Sequence, residues 1–306
     1  MNYKQIVEKN KKLSAILKNP QAKEVLRQWL LTELAYTSNH IEGNTLTRKE
    51  TELTITKGIT GSGKPLKEYM EAANHADAFK LALALSDSKK EITEDDILNV
   101  HKQILKGING EYDGRYRSVR VRIAGSCVVM PNPLKVPQKM KELVSFINSK
   151  TLTAPELSIA AHFKFVSIHP FVDGNGRAGR LLMNLILLKA GFQPVIIRPR
   201  DRKIYINSIE KGQLTDDLTA YNAFMFKALE RSLDTYIEMF DNDKPDIQPA
   251  KLMKISDFAK AAGVPTSTVR YYLRAGKIKP VSKTQGDYML FSREQVKEIK
   301  TIKDNF

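Results

Sequence analysis

The sequence is poor in the features that define several common classes of protein. It has one cysteine, Cys127, among 306 residues, which excludes an internal disulfide and a metal cluster built on cysteines. No apolar run approaches the roughly 20 residues that a membrane-spanning helix needs, so no membrane partner is expected. The first residues are charged and amphipathic, without the apolar core of a signal peptide. These absences predict a globular protein of the cytoplasm.

Acidic residues are also few relative to basic ones. Asp and Glu number 34 against 49 Lys and Arg, so the formal net charge is +15. This charge favours anionic partners such as nucleotides or nucleic acid, with a solvated basic surface as the alternative. Residues 251–306 hold 12 Lys and Arg against 5 Asp and Glu. The stretch 241–251 before them has two prolines and no apolar pattern, which indicates a linker.

Apolar spacing predicts a mainly α-helical protein. Apolar residues recur at intervals of three and four up to about Phe240. The exception lies in residues 111–137, whose glycines and prolines exclude a helix, and where VRVRIAG (119–125) alternates like a strand of a short hairpin. Four histidines on the helical patterns have no metal-ligand spacing and are expected to pack or lie at the surface: His40, His75, His101 and His162.

The stretch HPFVDGNGRAGR concentrates unusual chemistry in twelve residues. If a helix begins near Asn175, the backbone N–H groups of Gly174, Asn175 and Gly176 have no partners within the helix and lie at the positive end of its dipole. Glycines let a phosphate approach this backbone closely. Arg177 and Arg180, three residues apart, can bind phosphate oxygens from one helix face. This pattern indicates an anion site.

Two further side chains in the stretch indicate group transfer. Asp173 precedes the anion site and is suited to hold a Mg²⁺ ion that bridges phosphates. His169 ends the preceding helix, and an imidazole of near-neutral pKa can accept a proton from an attacking hydroxyl. The combination predicts transfer of a group from a magnesium-bound nucleotide. The alternative is a glycine turn between two core helices with charged residues at the surface.

This stretch resembles, without a gap, the H-x-F-x-[DE]-G-N-G-R-x-x-R signature of Fic domains. The GRYR run at 114–117 is similar to the run that leads into the Fic core, and the segment 119–134 to its β-hairpin flap. The similarity covers roughly residues 20–235. The resemblance implies a mainly α Fic fold with a short β-hairpin flap. It also implies a protein adenylyltransferase that moves AMP from ATP to a Ser, Thr or Tyr hydroxyl of a target protein, which can be the protein itself.

The resemblance also implies roles for individual residues. His169 would be the base, Asp173 would hold Mg²⁺, and residues 174–176 would form the anion site. Arg177 and Arg180 would bind the outer phosphates.

The resemblance also implies, less directly, which residues contact the adenine of ATP. RDRKIYIN falls where the family contacts the adenine, which makes Tyr205 and Asn207 candidates, although Tyr205 is equally compatible with core packing.

A second motif, TSNHIEGN, lies upstream on an amphipathic helix. Ser38 and Glu42 are four residues apart and share a face, and Gly43 can end the helix. The motif resembles the inhibitory helix of one Fic class, in which the glutamate pairs with the last signature arginine, here Arg180. That pairing would deny the arginine to the γ-phosphate. In some family members the same glutamate positions a water that removes AMP, so reversal stays open.

The last residues predict a separate small domain. ISDFAKAAGVPTSTVRYYLRAGKI indicates helix, turn and helix, with Gly263 at the turn and Thr266 as cap of the second helix. Ser267, Arg270 and Tyr271 would then face outward. Two short strands around residues 285–287 indicate a wing, and a last helix follows, capped by Ser292 with Gln295. The segment resembles the winged helix-turn-helix of MerR-type regulators, which implies DNA as a partner; a module that binds protein is the alternative.

These inferences divide the chain into four parts. Residues 1–90 form an N-terminal helical region whose inhibitory helix spans about 26–43; residues 91–240 form the Fic catalytic core; 241–251 the linker; and 252–306 the winged helix-turn-helix. Three alternatives remain: a DNA-binding regulator that uses the Fic fold as a nucleotide sensor, an enzyme that also removes AMP, and transfer of a different phosphate-linked group. The oligomeric state is open, with a homodimer among the alternatives.

Overall fold

The computed structural model describes most of the chain. The residues that it describes are 3–61, 63–149, 151–241, 253–275, 277–278, 280, 282–283, 289–291, 295–296 and 299. The chain divides into two compact units, Met1–Phe240 and Asp241–Phe306. The predicted linker, apart from Asp241, lies outside the described residues.

The first unit is built from α-helices, as the apolar spacing predicts. Its helices are α1 (Tyr3–Ile16), α2 (Pro20–Ile41), α3 (Arg48–Lys57), α4 (Leu66–Asp87), α5 (Glu94–Leu105), α6 (Val136–Asn148), α7 (Ala154–Ile168), α8 (Asn175–Lys189), α9 (Arg202–Thr215) and α10 (Thr219–Met239). Two short 3₁₀ turns precede α6 and α9, at Pro133–Lys135 and Pro199–Asp201. No helix in the described part of the chain is long and apolar enough to cross a membrane.

Helices α7 and α8 form the centre of this unit. Thr153 begins α7 through a capping box with Glu156. Helix α8 packs against α2, α4, α5 and α7, so its apolar side chains are buried on most sides. A methyl group at Gly179 would lie 3.0 Å from the Phe165 ring, so the absence of a side chain allows the close crossing of α7 and α8. The end of α7 and the start of α8 are thereby held side by side.

The flap segment differs in detail from the predicted hairpin strand. Residues 118–131, called the flap below, reverse direction at a turn in which the Ser126 N–H donates to the Ile123 carbonyl at 3.1 Å. The arms on either side contain no β-strand. Val119 and Val129 are 53% and 90% exposed, so no buried apolar face stabilises strand pairing. The flap is a loop with the shape of a hairpin.

The second unit is the predicted helix-turn-helix with a small sheet. Helices α11 (Ile255–Ala262) and α12 (Thr266–Arg274) are joined at Gly263, whose φ of 67° gives the left-handed turn. The strands β1 (Met253–Lys254), β2 (Ser282–Lys283) and β3 (Met289–Phe291) pair antiparallel in the order β1-β3-β2. The cap of α12 is Pro265 rather than Thr266, which is the first helical residue. The wing turn and Ser292 lie outside the described residues.

Aromatic packing supplies the core of the second unit. Phe258 of α11 stacks on Phe291 of β3 with ring centroids 4.4 Å apart, and both side chains are fully buried. Val269 of α12 is also fully buried against this pair's cluster. Strand β1, which the sequence analysis did not predict, pairs with β3 beside this core.

Candidate nucleotide site

The loop between α7 and α8 has an unusual backbone at both ends. His169 ends α7 in the left-handed region, with φ 49° and ψ 61°, and Gly174 with φ 77° precedes the first residue of α8. The Asn175 side chain accepts a hydrogen bond from the Phe171 N–H and donates one to the Phe171 carbonyl, both at 2.9 Å. The Asn175 side chain therefore closes the loop. The Gly174 N–H donates to Asp173 Oδ1 at 2.6 Å, and the N–H groups that follow it at the start of α8 have no partners within the helix.

His101 of α5 packs against this loop and is hydrogen-bonded to it. Its Nδ1 accepts a hydrogen bond from the Gly114 N–H at 3.1 Å, so the proton of the neutral ring is on Nε2, which donates to the Asp173 carbonyl at 2.9 Å. The ring stacks on Phe171 with centroids 3.5 Å apart. Burial lowers the pKa of His101 to about 4, which keeps this tautomer neutral. The sequence analysis treated His101 as a packing residue and missed its contact with the loop.

His169 has the protonation state that a base requires. Burial lowers the pKa of its imidazole below the ordinary 6.5, and the nearby Arg117 charge acts in the same direction. The ring is therefore neutral at pH 7. A neutral imidazole at the edge of the α8 start can accept a proton from a hydroxyl.

Arg180 of α8 is bound to α2 as the upstream motif predicts. Its Nη2 donates to Glu42 Oε1 at 2.7 Å and to the Ser38 carbonyl at 2.9 Å, while Nε donates to Ser38 Oγ at 3.0 Å. Burial alone would lower the pKa of Arg180, but the Glu42 carboxylate raises it above its ordinary value. Helix α2 ends at Ile41, so Glu42 is the first residue beyond the helix.

Glu42 also stands over the start of α8. A methyl group at Gly176 would overlap the Glu42 carboxylate, so the two groups are in close contact. The carboxylate thus lies against the first turn of α8, where the helix dipole and unpaired N–H groups favour an anion. Glu42 occupies the region that the sequence analysis assigned to a phosphate.

Arg177 has partners different from those of Arg180. Its Nη1 lies 3.1 Å from Glu71 Oε1 on α4, and its Nη2 lies 3.4 Å from Asp173 Oδ1. The other Glu71 oxygen accepts a hydrogen bond from Asn44 Nδ2 at 3.0 Å. A chain of polar contacts therefore joins the segment after α2 to Arg177 and Asp173. The sequence analysis did not find Glu71, because nothing local marks a glutamate on α4 as a partner of this loop.

Tyr205 lies in the core, as the alternative interpretation had it, and Asn207 is exposed two residues further along α9. The Tyr205 hydroxyl is 2.9 Å from His162 Nε2, and His162 Nδ1 is 2.7 Å from the Tyr221 hydroxyl. Tyr221 donates its own proton to the Ile159 carbonyl, so His162 donates from Nδ1 and accepts at Nε2 from Tyr205.

The direction of this hydrogen-bond chain bears on the anion site. The Tyr205 hydroxyl donates its proton to His162. The Tyr205 oxygen can therefore only accept a hydrogen bond from the Arg180 guanidinium, with which Tyr205 also interacts. Burial lowers the pKa of His162 to about 3 and raises that of Tyr205 to about 12, so both rings are neutral. Tyr205 contacts the anion site through Arg180 and not through an exposed ring face.

The three outward residues predicted on the second helix of the C-terminal unit are exposed in the structure. Ser267, Arg270 and Tyr271 all lie on the solvent face of α12, and Tyr271 is 58% exposed. The buried face of the same helix is formed by Val269 and Tyr272.

The loop, the helix start and the paired arginine form a candidate anion site, and comparison with known proteins identifies related sequences. Residues 91–187 match the Fic/DOC family. Residues 253–304 match the family described as "MerR HTH family regulatory protein". These matches confirm the resemblance to Fic-domain proteins and to MerR-type helix-turn-helix domains.

Curated relatives carry a common name. The chain is 36% identical over 206 residues to "Protein adenylyltransferase Fic" of Nematostella vectensis, covering 66% of this chain and 48% of that protein. It is 34% identical to "Protein adenylyltransferase fic-1" of Caenorhabditis elegans, covering 64% of this chain and 39% of that protein. The chain therefore spans less than half the length of these relatives.

Solved structures share the fold. A Fic domain containing signaling protein from Bacteroides thetaiotaomicron superimposes with a TM-score of 0.71 at 28% identity, covering 76% of this chain and 96% of that one. Fic-1 (aa134–508) of C. elegans gives 0.70 at 29% identity, covering 79% and 73%. A Fic family protein from Desulfovibrio desulfuricans G20 has the same fold, with a TM-score of 0.62 at 24% identity over 95% of this chain and 97% of that one.

Proposed function

We propose that this protein transfers AMP from ATP to a hydroxyl group of a target protein. The observation that carries the proposal is the loop of residues 169–176, where a neutral histidine directly precedes an open helix start. This arrangement offers a base and an anion site within one loop, which is the requirement for attack by a hydroxyl on a phosphate. The names of the curated relatives support AMP as the transferred group.

The chemical step follows from the roles of these residues. His169 takes the proton of a Ser, Thr or Tyr hydroxyl, and the oxygen forms a bond with the α-phosphorus of ATP. The bond from that phosphorus to the oxygen shared with the β-phosphate breaks, and pyrophosphate leaves with the bonding electron pair. The N–H groups of Asn175 and Gly176 hold phosphate oxygens at the α8 start, and that of Gly174 joins them once it is released from Asp173 Oδ1. Arg177 and Arg180 balance the charge of the outer phosphates.

Asp173 is the residue that would hold Mg²⁺. The described residues contain no group of three or more His, Cys, Asp or Glu side chains arranged for a metal ion. A single carboxylate fits Mg²⁺ nonetheless, because that ion is commonly bound by one or two carboxylates together with substrate phosphates. The Asp173 side chain is 46% exposed beside the helix start, where such phosphates would lie. Bound there, Mg²⁺ would neutralise phosphate charge.

The ground state of this site is autoinhibited in our proposal. Glu42 holds Arg180 through a 2.7 Å ion pair and covers the first turn of α8. Both contacts use groups that the phosphates of ATP need, so the carboxylate competes with the nucleotide for them. Ser38 stabilises the same state, because it accepts two hydrogen bonds from Arg180.

A second function is proposed for the C-terminal unit, which would bind duplex DNA. The exposed Ser267, Arg270 and Tyr271 lie together on one face of the second helix of a helix-turn-helix. In that motif the second helix enters the major groove, and basic residues around it contact phosphates. The excess of basic over acidic residues in 251–306 supports this choice.

The transfer reaction can be tested by the position of the label in ATP. The full-length chain and its Glu42→Gly variant are incubated with ATP labelled at the α- or the γ-phosphate, with a cell extract as the source of targets. Relative to extract alone, we expect the added chain to increase protein-bound label from α-labelled ATP but not from γ-labelled ATP, and Glu42→Gly carrying His169→Ala to give no increase. An increase in label from the γ-phosphate that depends on the added chain would indicate phosphate transfer and would contradict the proposal.

A further inference from the structure

Arg117, in the GRYR run before the flap, is a buried cation with an unusual set of partners. It is 3% exposed, and burial lowers the pKa of its guanidinium. Its hydrogen bonds in the described structure all go to main-chain carbonyl groups. Burying a charged group costs several kcal/mol unless its N–H donors have hydrogen-bond partners. The planar guanidinium of arginine has enough donors to bind all of these carbonyl groups at once.

One side of the guanidinium caps the end of α7. Nε donates to the His169 carbonyl at 2.7 Å, and Nη2 reaches the Ile168 carbonyl at 3.5 Å. The backbone N–H of Arg117 donates to the Pro170 carbonyl at 2.9 Å. Carbonyl groups at a helix C-terminus lack partners within the helix and carry the negative end of its dipole, which favours a cation there.

The His169 backbone needs such support. Its φ of 49° puts a residue with a side chain in the left-handed region, which costs free energy unless the surroundings hold it. The Arg117 contact fixes the carbonyl of that same residue. The direction of the His169 side chain depends on this backbone conformation, whose carbonyl Arg117 holds.

The other side of the guanidinium holds both ends of the flap. Nη1 donates to the Val119 carbonyl at 3.1 Å, close to the start of the flap, and Nη2 donates to the Pro131 carbonyl at 2.7 Å, at its end. The flap contains no strand pairing of its own. These two contacts therefore hold the two ends of the flap together. The Arg117 side chain thus binds both the flap and the His169 backbone.

We propose that Arg117 is a positioning residue that holds the flap and the His169 backbone in fixed relation to each other. The proposal rests on the proposed function in taking His169 as the base. It goes beyond that function because it couples the position of the base to that of a surface loop. A protein that binds to the flap would therefore be held in a fixed position relative to the His169 imidazole by the Arg117 guanidinium.

The first test measures the flap directly and needs no enzymatic activity. Trypsin can cleave after Arg120 and Arg122 within the flap, and the rate of that cleavage is followed by mass spectrometry in the full-length chain. Arg117→Lys keeps the charge but replaces the fork by one ammonium group, and Arg115→Met, at an exposed position in the same run, is the matched control. We expect cleavage in Arg117→Lys to be roughly tenfold faster, because buried hydrogen bonds are lost, with no change in the control.

The location of the cleavage separates a local from a global effect. A variant that fails to fold is cleaved throughout the chain, whereas a released flap is cleaved first at Arg120 and Arg122. If folding of Arg117→Lys is impaired, Arg117→Gln, which keeps planar donors, supplies the same comparison at the flap. Flap cleavage at the wild-type rate in folded Arg117→Lys would overturn the proposal, whatever reaction the protein catalyses.

The second test concerns the base. In the Glu42→Gly background, Arg117→Lys should lower kcat by roughly tenfold or more through misplacement of the imidazole. KM for ATP should change less than about threefold, since the hydrogen bonds of Arg117 in the described structure go to other residues than 174–177 and Arg180. An NMR titration of the His169 ring should show a raised pKa in Arg117→Gln, where the charge is absent, and an unchanged one in Arg115→Met. Unaltered kcat together with an unaltered His169 pKa would contradict the coupling to the base.

Discussion

At the scale of single residues, the hydrogen bonds around this site depend on which ring nitrogen of each histidine carries the proton. His101 donates from Nε2 because its Nδ1 accepts a hydrogen bond from the Gly114 N–H. His162 donates from Nδ1 because Tyr221, the partner of that nitrogen, donates its own proton to the Ile159 carbonyl. A sequence can mark a histidine as buried but not which nitrogen carries its proton, because the partners lie on other helices. This is why the signature residues are predictable and their supports, Glu71 among them, are not.

The proton on His169 gives a pH dependence for AMP transfer. The base works when neutral, and its pKa is lowered below 6.5, so activity is lost as the pH falls through a value under 6.5. We therefore expect kcat/KM of the Glu42→Gly variant to be level between about pH 7 and 8 and to fall on the acid side. A pH series of labelled-AMP incorporation checks this. A limb that still rises through pH 7.5 would contradict the lowered pKa.

Tyr205→Phe tests the buried chain under Arg180. The variant keeps the ring but leaves His162 Nε2 without its donor and Arg180 without the tyrosine oxygen. We expect the free energy of unfolding to fall by about 1–3 kcal/mol, the cost of an unsatisfied buried polar group. Urea unfolding, followed by the fluorescence of the single tryptophan, Trp29, measures it. Tyr3→Phe, at a more exposed tyrosine, is the control; equal stability of the two variants would place Tyr205 outside any such chain.

At the scale of elements, local signals in the sequence predict where helices begin and end. The glycine turn at Gly263 is present as predicted. Predictions that depended on a partner were less accurate. The alternation in residues 119–125 predicts a strand, but an exposed segment with no facing strand remains a loop. Strand β1 has two residues and becomes visible only through its pairing with β3.

The helix-turn-helix element carries a prediction of its own. The full-length chain should bind duplex DNA with an affinity that falls steeply as salt rises, because Lys and Arg contacts release counterions. Arg270→Ala should weaken binding by about 1–3 kcal/mol if it reads a base and by less if it contacts phosphate. Gel-shift titrations at two salt concentrations measure this, with Arg120→Ala in the first unit as a charge-matched control. An absence of binding at low salt would favour a protein partner for this unit.

At the scale of the whole molecule, three buried histidines tie the stability of the first unit to pH. Burial lowers the pKa values of His75, His101 and His162 to about 3, 4 and 3, against 6.5 for the ordinary side chain. Below pH 6.5 the unfolded chain binds protons at these sites and the folded chain does not, so stability decreases as the pH falls.

The size of this effect can be measured at one site. Each such histidine contributes a slope that approaches about 1.4 kcal/mol per pH unit once the unfolded side chain is protonated. His75→Phe removes one titrating group, so its unfolding free energy should depend less steeply on pH between 6.5 and 5 by up to that amount. Urea unfolding at several pH values, monitored at Trp29, gives both slopes. Identical slopes for the variant and the wild type would mean that His75 titrates in the folded protein.

Among the contacts that join the N-terminal region to the site is the pair of Glu42 and Arg180. The two residues are 138 positions apart in the chain, and the pair forms because α2 packs against α8. Each motif could be found separately in the sequence, whereas the close contact of the carboxylate with Gly176 required the structure. In our proposal, that contact makes the glutamate a competitor for phosphate as well as a partner for an arginine.

The most direct test of this account is AMP incorporation from α-labelled ATP by four chains: wild type, Glu42→Gly, Glu42→Gln, and Glu42→Gly with Arg180→Ala. Freeing an arginine contact worth roughly 1.5–3 kcal/mol predicts a rise of about tenfold to a hundredfold in Glu42→Gly. Glu42→Gln, which keeps the shape and removes the charge, should show part of that rise, and the double variant should lose it. Equal incorporation by wild type and Glu42→Gly would contradict the account.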